Sequence, residues 1–221
     1  REGEPPYAAT LVRETHVSDP PPLEGLKIQI SFSYSDGFGR EIQKKVQAEP
    51  RRLDPDDPNS PAVNPRWVGS GWTIFNNKGK PVRRYEPFFD DTHDFKFGHQ
   101  IGVSPILFYD PVERVIATLH PNHAWEKVVF DPWRQTSYDV NDTLLNDDGS
   151  TDPKSDEDVK GFFSRLPDAD YLPTWYEQRI ALAANDPERI AAEKAAVHRQ
   201  TPAVAHLDTL GRAFLTIAHN R

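Results

Sequence analysis

Apolar and polar residues alternate with a period of two along several short stretches. In residues 27–34 (KIQISFSY), Ile28, Ile30 and Phe32 fall on one face and Lys27, Gln29, Ser31 and Ser33 on the other. That is the pattern of a half-buried strand. Residues 41–49 alternate again through Ile42 and Val46, and Asp36-Gly37-Phe38-Gly39-Arg40 offers two glycines for positive φ. A β-hairpin is therefore predicted over 27–49. Residues 8–17 (AATLVRETHV) form a further candidate strand, and Asp19-Pro20-Pro21-Pro22 an extended surface link, because proline fixes φ and has no amide donor. Residues 50–65 read as a polar, proline-bearing loop without strand pattern. Residues 66–75 (RWVGSGWTIF) read as an aromatic strand, Asn76-Asn77-Lys78-Gly79 as a turn and 81–89 as the return strand.

The clearest unit is 106–143. Phe108-Tyr109-Asp110-Pro111 precedes the run 112–119, and Val129-Phe130-Asp131-Pro132 precedes 133–140. Each copy is an apolar run, an aromatic-Asp-Pro turn and an alternating run that carries an Arg. Tyr109 and Phe130 are about 20 positions apart, the spacing of units too small to bury a core alone.

Near residue 141 the pattern changes. Residues 146–158 are polar and acidic and are expected to be mobile. Residues 173–183 (PTWYEQRIALA) fit a helix, and 187–200 (PERIAAEKAAVHRQ) fit one better. Asp186 can cap the second, Pro187 takes its first position, Glu188 lies in its first turn, and His198 and Arg199 end it. Ile190, Ala191, Lys194 and Val197 share a face with a small apolar part, so this helix is expected to pack on something larger. After Thr201-Pro202 the strand pattern returns, with a turn at 206–212 (HLDTLGR) and alternation over 213–218. The expected organisation is β-hairpin repeats over 1–143, a mainly helical insertion with an acidic loop over 144–203, and a return to the strand repeat over 204–221.

Composition narrows the function classes. The absence of Met among 221 residues leads us to expect an internal piece of a longer chain, beginning at Arg1-Glu2-Gly3-Glu4. The absence of Cys excludes disulfides and thiolate metal sites. A net charge of −8 argues against nucleic-acid binding, which needs clustered Lys and Arg. No apolar run approaches the roughly 20 residues of a membrane span. The 21 prolines lie at segment borders, where turns between short strands require them.

Candidate chemistry is sparse. Asp90-Asp91-Thr92-His93-Asp94 has the residue types of a metal or acid–base cluster, but adjacent carboxylates in a polar loop read better as solvated charge. His120 and His123 flank a Pro-Asn turn and lack partners at ligand spacing. Gly69-Ser70-Gly71 is not a nucleophile elbow, since position 68 is Val. No glycine-rich phosphate loop is present. Trp67, Trp72, Trp125 and Trp133 are read as packing residues on strands rather than a sugar platform. No catalytic residue, metal ligand or cofactor is assigned. Asp36, Asp110, Asp131 and Asp208 are expected to cap turns with their side chains, and Arg40, Arg114, Arg134 and Arg212 to pair with them or with neighbouring repeats.

The unit of an aromatic residue, an Asp and a following Arg resembles the YD repeat of RHS proteins. It is carried by Tyr34 with Asp36-Gly37 and Gly39-Arg40, by Tyr109-Asp110-Pro111 with Arg114, by Phe130-Asp131-Pro132 with Arg134, and by Asp208 with Gly211-Arg212. Tyr85-Glu86-Pro87 echoes Tyr109-Asp110-Pro111. The runs NNKGKPVRRYEPFF, GVSPILFYDPVERVIATLHPNHAWEKVVFDPWRQTSYDVNDT, AAEKAAVHRQTPAVAHLDTLGR and FLTIAHNR further resemble the B component of insecticidal Tc toxin complexes, over most of 26–221 and including the insertion. That resemblance implies a mainly β fold, in which consecutive hairpins form part of a curled, shell-like sheet. It implies a non-enzymatic wall segment that encloses a toxic C-terminal polypeptide in a secreted bacterial complex. The implied partners are the C component with its enclosed segment and, indirectly, the A-component channel, with no nucleic acid and no direct membrane insertion. A carbohydrate- or cell-surface-binding β-repeat module is the alternative, and a hydrolase using the 90–94 loop ranks third.

Overall fold

The computed structural model describes residues 4–20 and 25–219; Pro21 and Pro22 of the expected link lie outside that range. The chain is mainly β, with antiparallel sheets and short helices toward the C-terminal end. It forms two compact units, Arg1–Ser104 and Pro105–Arg221. The composition change near 144 is not a break between units, because the insertion packs into the second one.

In the first unit the strands are β1 (Tyr7–Arg13), β2 (Ile28–Ser35), β3 (Glu41–Ala48), β4 (Arg51–Arg52), β5 (Ala62–Val63), β6 (Arg66–Gly69), β7 (Thr73–Phe75), β8 (Pro81–Arg84) and β9 (Phe88–Asp90). β1, β2, β3, β6 and β9 lie side by side in that order, each pair antiparallel. β1 ends at Arg13, short of the expected Val17. The proline-bearing loop contains a two-residue ladder, β4 against β5, that its composition did not announce.

The buried face of this sheet is not the one the alternation in β3 suggests. Register sets Tyr34 opposite Gln43, Phe32 opposite Lys45, Lys45 opposite Gly69, Gly69 opposite Phe88 and Trp67 opposite Asp90. Gln43 and Lys45 are each 0% exposed. Ile42 and Val46 therefore take the other face, which stays only half covered. A sheet puts every second residue on one side whatever its chemistry, and here polar residues fall on the covered side.

The aromatic run 66–75 is also not one strand. β6 pairs with β3 and β9, while β7 pairs with β8. One register nevertheless runs through both pieces, from Trp67 opposite Asp90 to Thr73 opposite Arg84. The ladder opens at 70–72 and 85–87. There Ser70 N–H donates to the Lys44 carbonyl (2.8 Å) and Glu86 N–H to the Ile101 carbonyl (3.1 Å). Pro87 has no amide proton to offer.

In the second unit β10 (Ile106–Tyr109), β11 (Val115–Leu119), β12 (Trp125–Phe130), β13 (Arg134–Tyr138), β14 (Ala203–Leu207) and β15 (Ala213–Ile217) each pair antiparallel with the next. The insertion leaves β13 and re-enters at β14 with Ser137 opposite Ala203. It contains α1 (Lys160–Phe163), α2 (Trp175–Ile180) and α3 (Pro187–Ala195), with 3-10 turns before α1, between α1 and α2, and after α3. α2 starts in a capping box. Thr174 Oγ1 accepts from Glu177 N–H (3.4 Å), and Glu177 Oε2 accepts from Thr174 N–H (2.9 Å). α3 starts as predicted, with the Asp186 carboxylate accepting from Glu188 N–H (2.8 Å). Its buried residue is Ala192, followed by Ala196 just beyond its end; Ile190 and Val197 face solvent.

The insertion covers one face of the sheet. Phe163, 0% exposed, packs its ring 5.2 Å from Phe108, 5.7 Å from Trp125 and 5.3 Å from Tyr171, measured between ring centroids. The stretch expected to be mobile is tied down. Lys127 Nζ donates to Asp156 (2.6 Å) and Asp158 (2.8 Å), and Lys127 and Asp156 are both buried. Asp142 holds the two ends of the insertion together. Its carboxylate accepts from Asp139 N–H (2.9 Å) and from Thr201 N–H (2.8 Å).

Candidate functional site

The candidate site residues build one recurrent device. At Asp36, Asp110 and Asp208 the chain makes the same three-residue hairpin loop. The Asp N–H donates to the carbonyl four residues on, and the N–H of the third residue on donates back to the Asp carbonyl, all at 2.9–3.0 Å. The residue in that third position is left-handed: Gly39 at φ 77°, Glu113 at 70°, Gly211 at 74°. This is the type I turn followed by a bulge. Each Asp Oδ1 accepts two backbone amides: from Phe38 (2.8 Å) and Arg40 (2.9 Å), from Val112 (3.0 Å) and Arg114 (2.9 Å), and from Leu210 (2.9 Å) and Arg212 (3.0 Å).

The other oxygen of each Asp takes its own Arg. Asp36 Oδ2 receives Arg40 Nε and Nη2, both at 2.6 Å. Asp110 receives both nitrogens of Arg114 at 2.7 Å, and Asp208 those of Arg212 at 2.9 and 2.8 Å. The sequence left open whether each Arg pairs within its own turn or with a neighbouring repeat; all three pair within it. Asp131 makes a tighter version, with Arg134 three residues on at 3.0 Å and Asp131 N–H donating to the Arg134 carbonyl (2.9 Å). Gly37, Pro111 and Pro132 occupy the first loop position after the Asp, where φ is negative and proline fits.

These bonds set the protonation of the four carboxylates. Burial pushes Asp36 and Asp110 up, but backbone amides and the arginine outweigh it and hold both below the ordinary carboxylate value. At Asp131 the Trp133 amide and at Asp208 the Arg212 amide are the largest causes of the same downward shift.

Two of the arginines also link turns. The Arg40 guanidinium lies 4.9 Å from the Phe75 ring centre, and that of Arg114 4.0 Å from Phe130. Phe75 and Phe130 each directly precede a later turn, so the charge of one loop rests on the aromatic of another.

The turn expected at Asn76-Asn77-Lys78-Gly79 proves to be a further copy of this loop, and one expected turn residue lies elsewhere. Asn76 forms the same loop, its Oδ1 accepting from Lys78 (3.0 Å) and Lys80 (2.9 Å) with Gly79 at φ 79°. Its kinship with the Asp loops lies in an Asn three residues before a Gly, with Lys80 where they carry Arg. Tyr85 is not in a repeat turn. It sits where the β6–β9 ladder opens, its N–H donating to the Trp72 carbonyl (2.9 Å).

Of the 90–94 stretch only Asp90, the last residue of β9, is buried, and it anchors an ion cluster; Asp91 and Asp94 are exposed. Lys45 Nζ donates to Asp90 Oδ2, and Lys96 Nζ to Asp90 Oδ1 (2.8 Å). Gln43 fixes the same loop from below, accepting from Lys96 N–H (2.9 Å) and donating to the Lys96 carbonyl (3.3 Å). Burial holds Lys45 below the ordinary lysine value. Burial pushes Asp90 up, but the two lysines outweigh it and hold its carboxyl down. Both Asp90 oxygens are thus engaged by cations. His93 stacks on Phe32 at 4.3 Å. Among the described residues no group of three or more His, Cys, Asp or Glu is arranged to hold a metal. His120 reaches Glu126 at 3.7 Å and His123 the Pro173 carbonyl at 2.9 Å. Of the four tryptophans expected to pack on strands, Trp67 and Trp125 are buried, Trp72 lies off the strands in the ladder opening, and Trp133 is exposed in a turn.

No protein-family model matches the chain, and no curated protein matches it. Solved structures do. The crystal structure of TcdB2-TccC3 superposes with a TM-score of 0.62 at 22% identity, over 97% of this chain and 8% of that one. TcdB2-TccC3 without its hypervariable C-terminal region gives 0.58 at 22%, over 97% and 8%. A Photorhabdus luminescens Tc holotoxin pore carrying a TccC3 substitution gives 0.58 at 21%, over 96% and 8%. The likeness is one of fold, and this chain spans 8% of the length of those it matches.

Proposed function

We propose that this chain is a wall segment of an RHS-type toxin shell, built from YD-like hairpins, with a structural and non-enzymatic role. The observation that carries the reading is the recurrent Asp–Arg loop, set at the ends of strands that each pair with the next. Such a series extends by adding hairpins, and closing it on itself removes the strand edges that an open sheet exposes. The Tc-toxin-like fold along nearly the whole chain supports it. The partners on this reading are a C component, the toxic polypeptide it encloses and, indirectly, an A-component channel, in a secreted complex. Alternation gives each strand two separate faces, which suits the wall of a container for an unfolded chain.

The test is to purify the complete protein that contains this segment with its C component, image it, and challenge it with protease. A hollow β-shell with this segment in its wall, and a cleaved C-terminal polypeptide protected until the shell is opened, is the expected result. A particle without a cavity, or a C-terminal polypeptide digested at the rate of the free one, overturns the reading.

A further inference from the structure

At the Asp–Arg loops the chain puts a large apolar residue where turns ordinarily carry Gly, Pro, Asn, Asp or Ser. Two residues after Asp36, Asp110, Asp131 and Asp208 stand Phe38, Val112, Trp133 and Leu210. They are 88%, 69%, 57% and 74% exposed. The preceding Asp Oδ1 accepts the amide of each, at 2.7–3.0 Å, so every tip is set out from a fixed loop. Loops at Asn76, His120 and Asn146 share the backbone without the Asp–Arg pair. Each of these residues donates its N–H to the carbonyl four residues on, at 2.8–2.9 Å, and Gly79, His123 and Gly149 are left-handed. At the tip they hold Lys78, Asn122 and Asp148. The apolar tip therefore goes with the Asp–Arg pair and is not a requirement of the loop.

Topology gathers three of these tips. In the second unit β10 to β15 pair in chain order, so successive loops fall at opposite ends of the strands. The loops at Asp110, Asp131 and Asp208 share one rim, and the 120–124 loop and both ends of the insertion lie at the other. Val112, Trp133 and Leu210 thus form a row with one tip every two strands, about 10 Å apart. Each Asp on this rim holds its own Arg, so the pairs leave no charge to be met from outside. Of the remaining residues in the three loops only Glu113 is charged. Packing within the unit does not use the row, and large apolar side chains set out together mark a contact surface.

Resting on the wall reading above, we infer that this rim abuts another course of the same wall. The occupant is a row of hairpin loops of the longer chain to which this segment belongs, docked against Val112, Trp133 and Leu210. The spacing favours that occupant. A rim of antiparallel hairpins repeats every two strands and meets a like rim tip for tip. An unfolded polypeptide has no fixed repeat, and a helix advances about 5.4 Å per turn. The paired charges favour it too, since an apolar row without free charge is best covered by an apolar row.

The test uses the complete protein that contains this segment, assembled with its C component and imaged. Trp133→p-benzoylphenylalanine and Leu210→p-benzoylphenylalanine variants are irradiated, and the crosslinked peptides are identified by mass spectrometry. Crosslinks from both positions to hairpin loops of the same longer chain, outside residues 105–221, are expected. The unsubstituted protein supplies a second measurement: hydroxyl radicals should oxidise Trp133 and Leu210 several-fold more slowly in the complete protein than in the 221-residue chain. Crosslinks to the enclosed polypeptide, to the C component or to an A-component channel overturn the proposal. So does the absence of crosslinks, or equal oxidation in the two samples. Any of these in a hollow shell removes the rim contact alone, and a particle without a cavity removes the wall reading with it.

Discussion

Gly71 approaches the main chain of Tyr85 so closely that a methyl group on its Cα would lie 1.7 Å from the Tyr85 carbonyl oxygen. Backbone on both sides leaves nothing to move aside. Gly71→Ala should therefore lower stability by about 3 kcal/mol, the upper end of overpacking. Gly37→Ala, with nothing within 4 Å, should stay within about 0.5 kcal/mol. Urea denaturation of both measures this; similar losses for the two would refute the steric account.

Lys45 and Asp90 give a second prediction. Lys45→Met removes one partner of a buried pair and leaves Asp90 to Lys96 alone, at a cost of about 3 kcal/mol. The pH dependence follows from Asp90. Its folded pKa lies below the unfolded value, so its contribution is present above the ordinary carboxylate range and is lost as pH falls through the folded pKa. Asp90→Asn should flatten the acid limb of the urea midpoint against pH between neutral and strongly acidic solution. An unchanged acid limb would count against this assignment.

The hairpin loops predict an order among variants. Asp36→Ala, Asp110→Ala and Asp208→Ala lose the acceptor of two amides and should each lower the urea midpoint. The Asn variants should retain more of it, because Asn76 already does the same work with an amide oxygen. Gly39→Ala and Gly211→Ala meet no steric obstacle and should lose only the left-handed backbone penalty, about 1 kcal/mol. Equal midpoints for the Ala and Asn series would mean the loop backbone needs no side-chain acceptor.

The contact between the insertion and the sheet rests on Phe163 and Lys127. Phe163→Ala should cost about 4 kcal/mol. Burial pushes Lys127 down, but Asp156 and Asp158 outweigh it and hold its folded pKa above the ordinary lysine value. Its stabilisation is thus present below the unfolded pKa and lost as pH rises through the folded one. Lys127→Met should speed amide hydrogen exchange over 150–163 more than in β10–β11. Uniform acceleration across the second unit would argue that the ion pairs stabilise the whole unit and not this contact.

Much of this was legible in the alternation of short runs and their turn residues. The hairpins at 27–49 and 106–143, the Asp186 cap and the resumed strands after Thr201 follow from local chemistry alone. What was not legible depends on partners far along the chain. Ile42 and Val46 looked inward, but strand pairing put Gln43 and Lys45 on the covered face, where Asp90 and Lys96 from a later loop make burial tolerable. The break at Gly71 goes with a close approach to the Tyr85 main chain, which no period reports. The acidic loop read as mobile because Lys127, the group that binds Asp156 and Asp158, sits on a strand before the insertion.

The clasp at Asp142 has a kinetic consequence. β10 to β13 can zip together one hairpin at a time, each closing a loop of a few residues. β14 must find β13 across about 60 residues, a far slower search unless the intervening chain collapses first. By accepting from the Asp139 and Thr201 amides, Asp142 latches that long closure once the collapsed insertion has brought its ends together. On a ribosome the sheet would then grow in two episodes, pausing at Tyr138 until the insertion has folded.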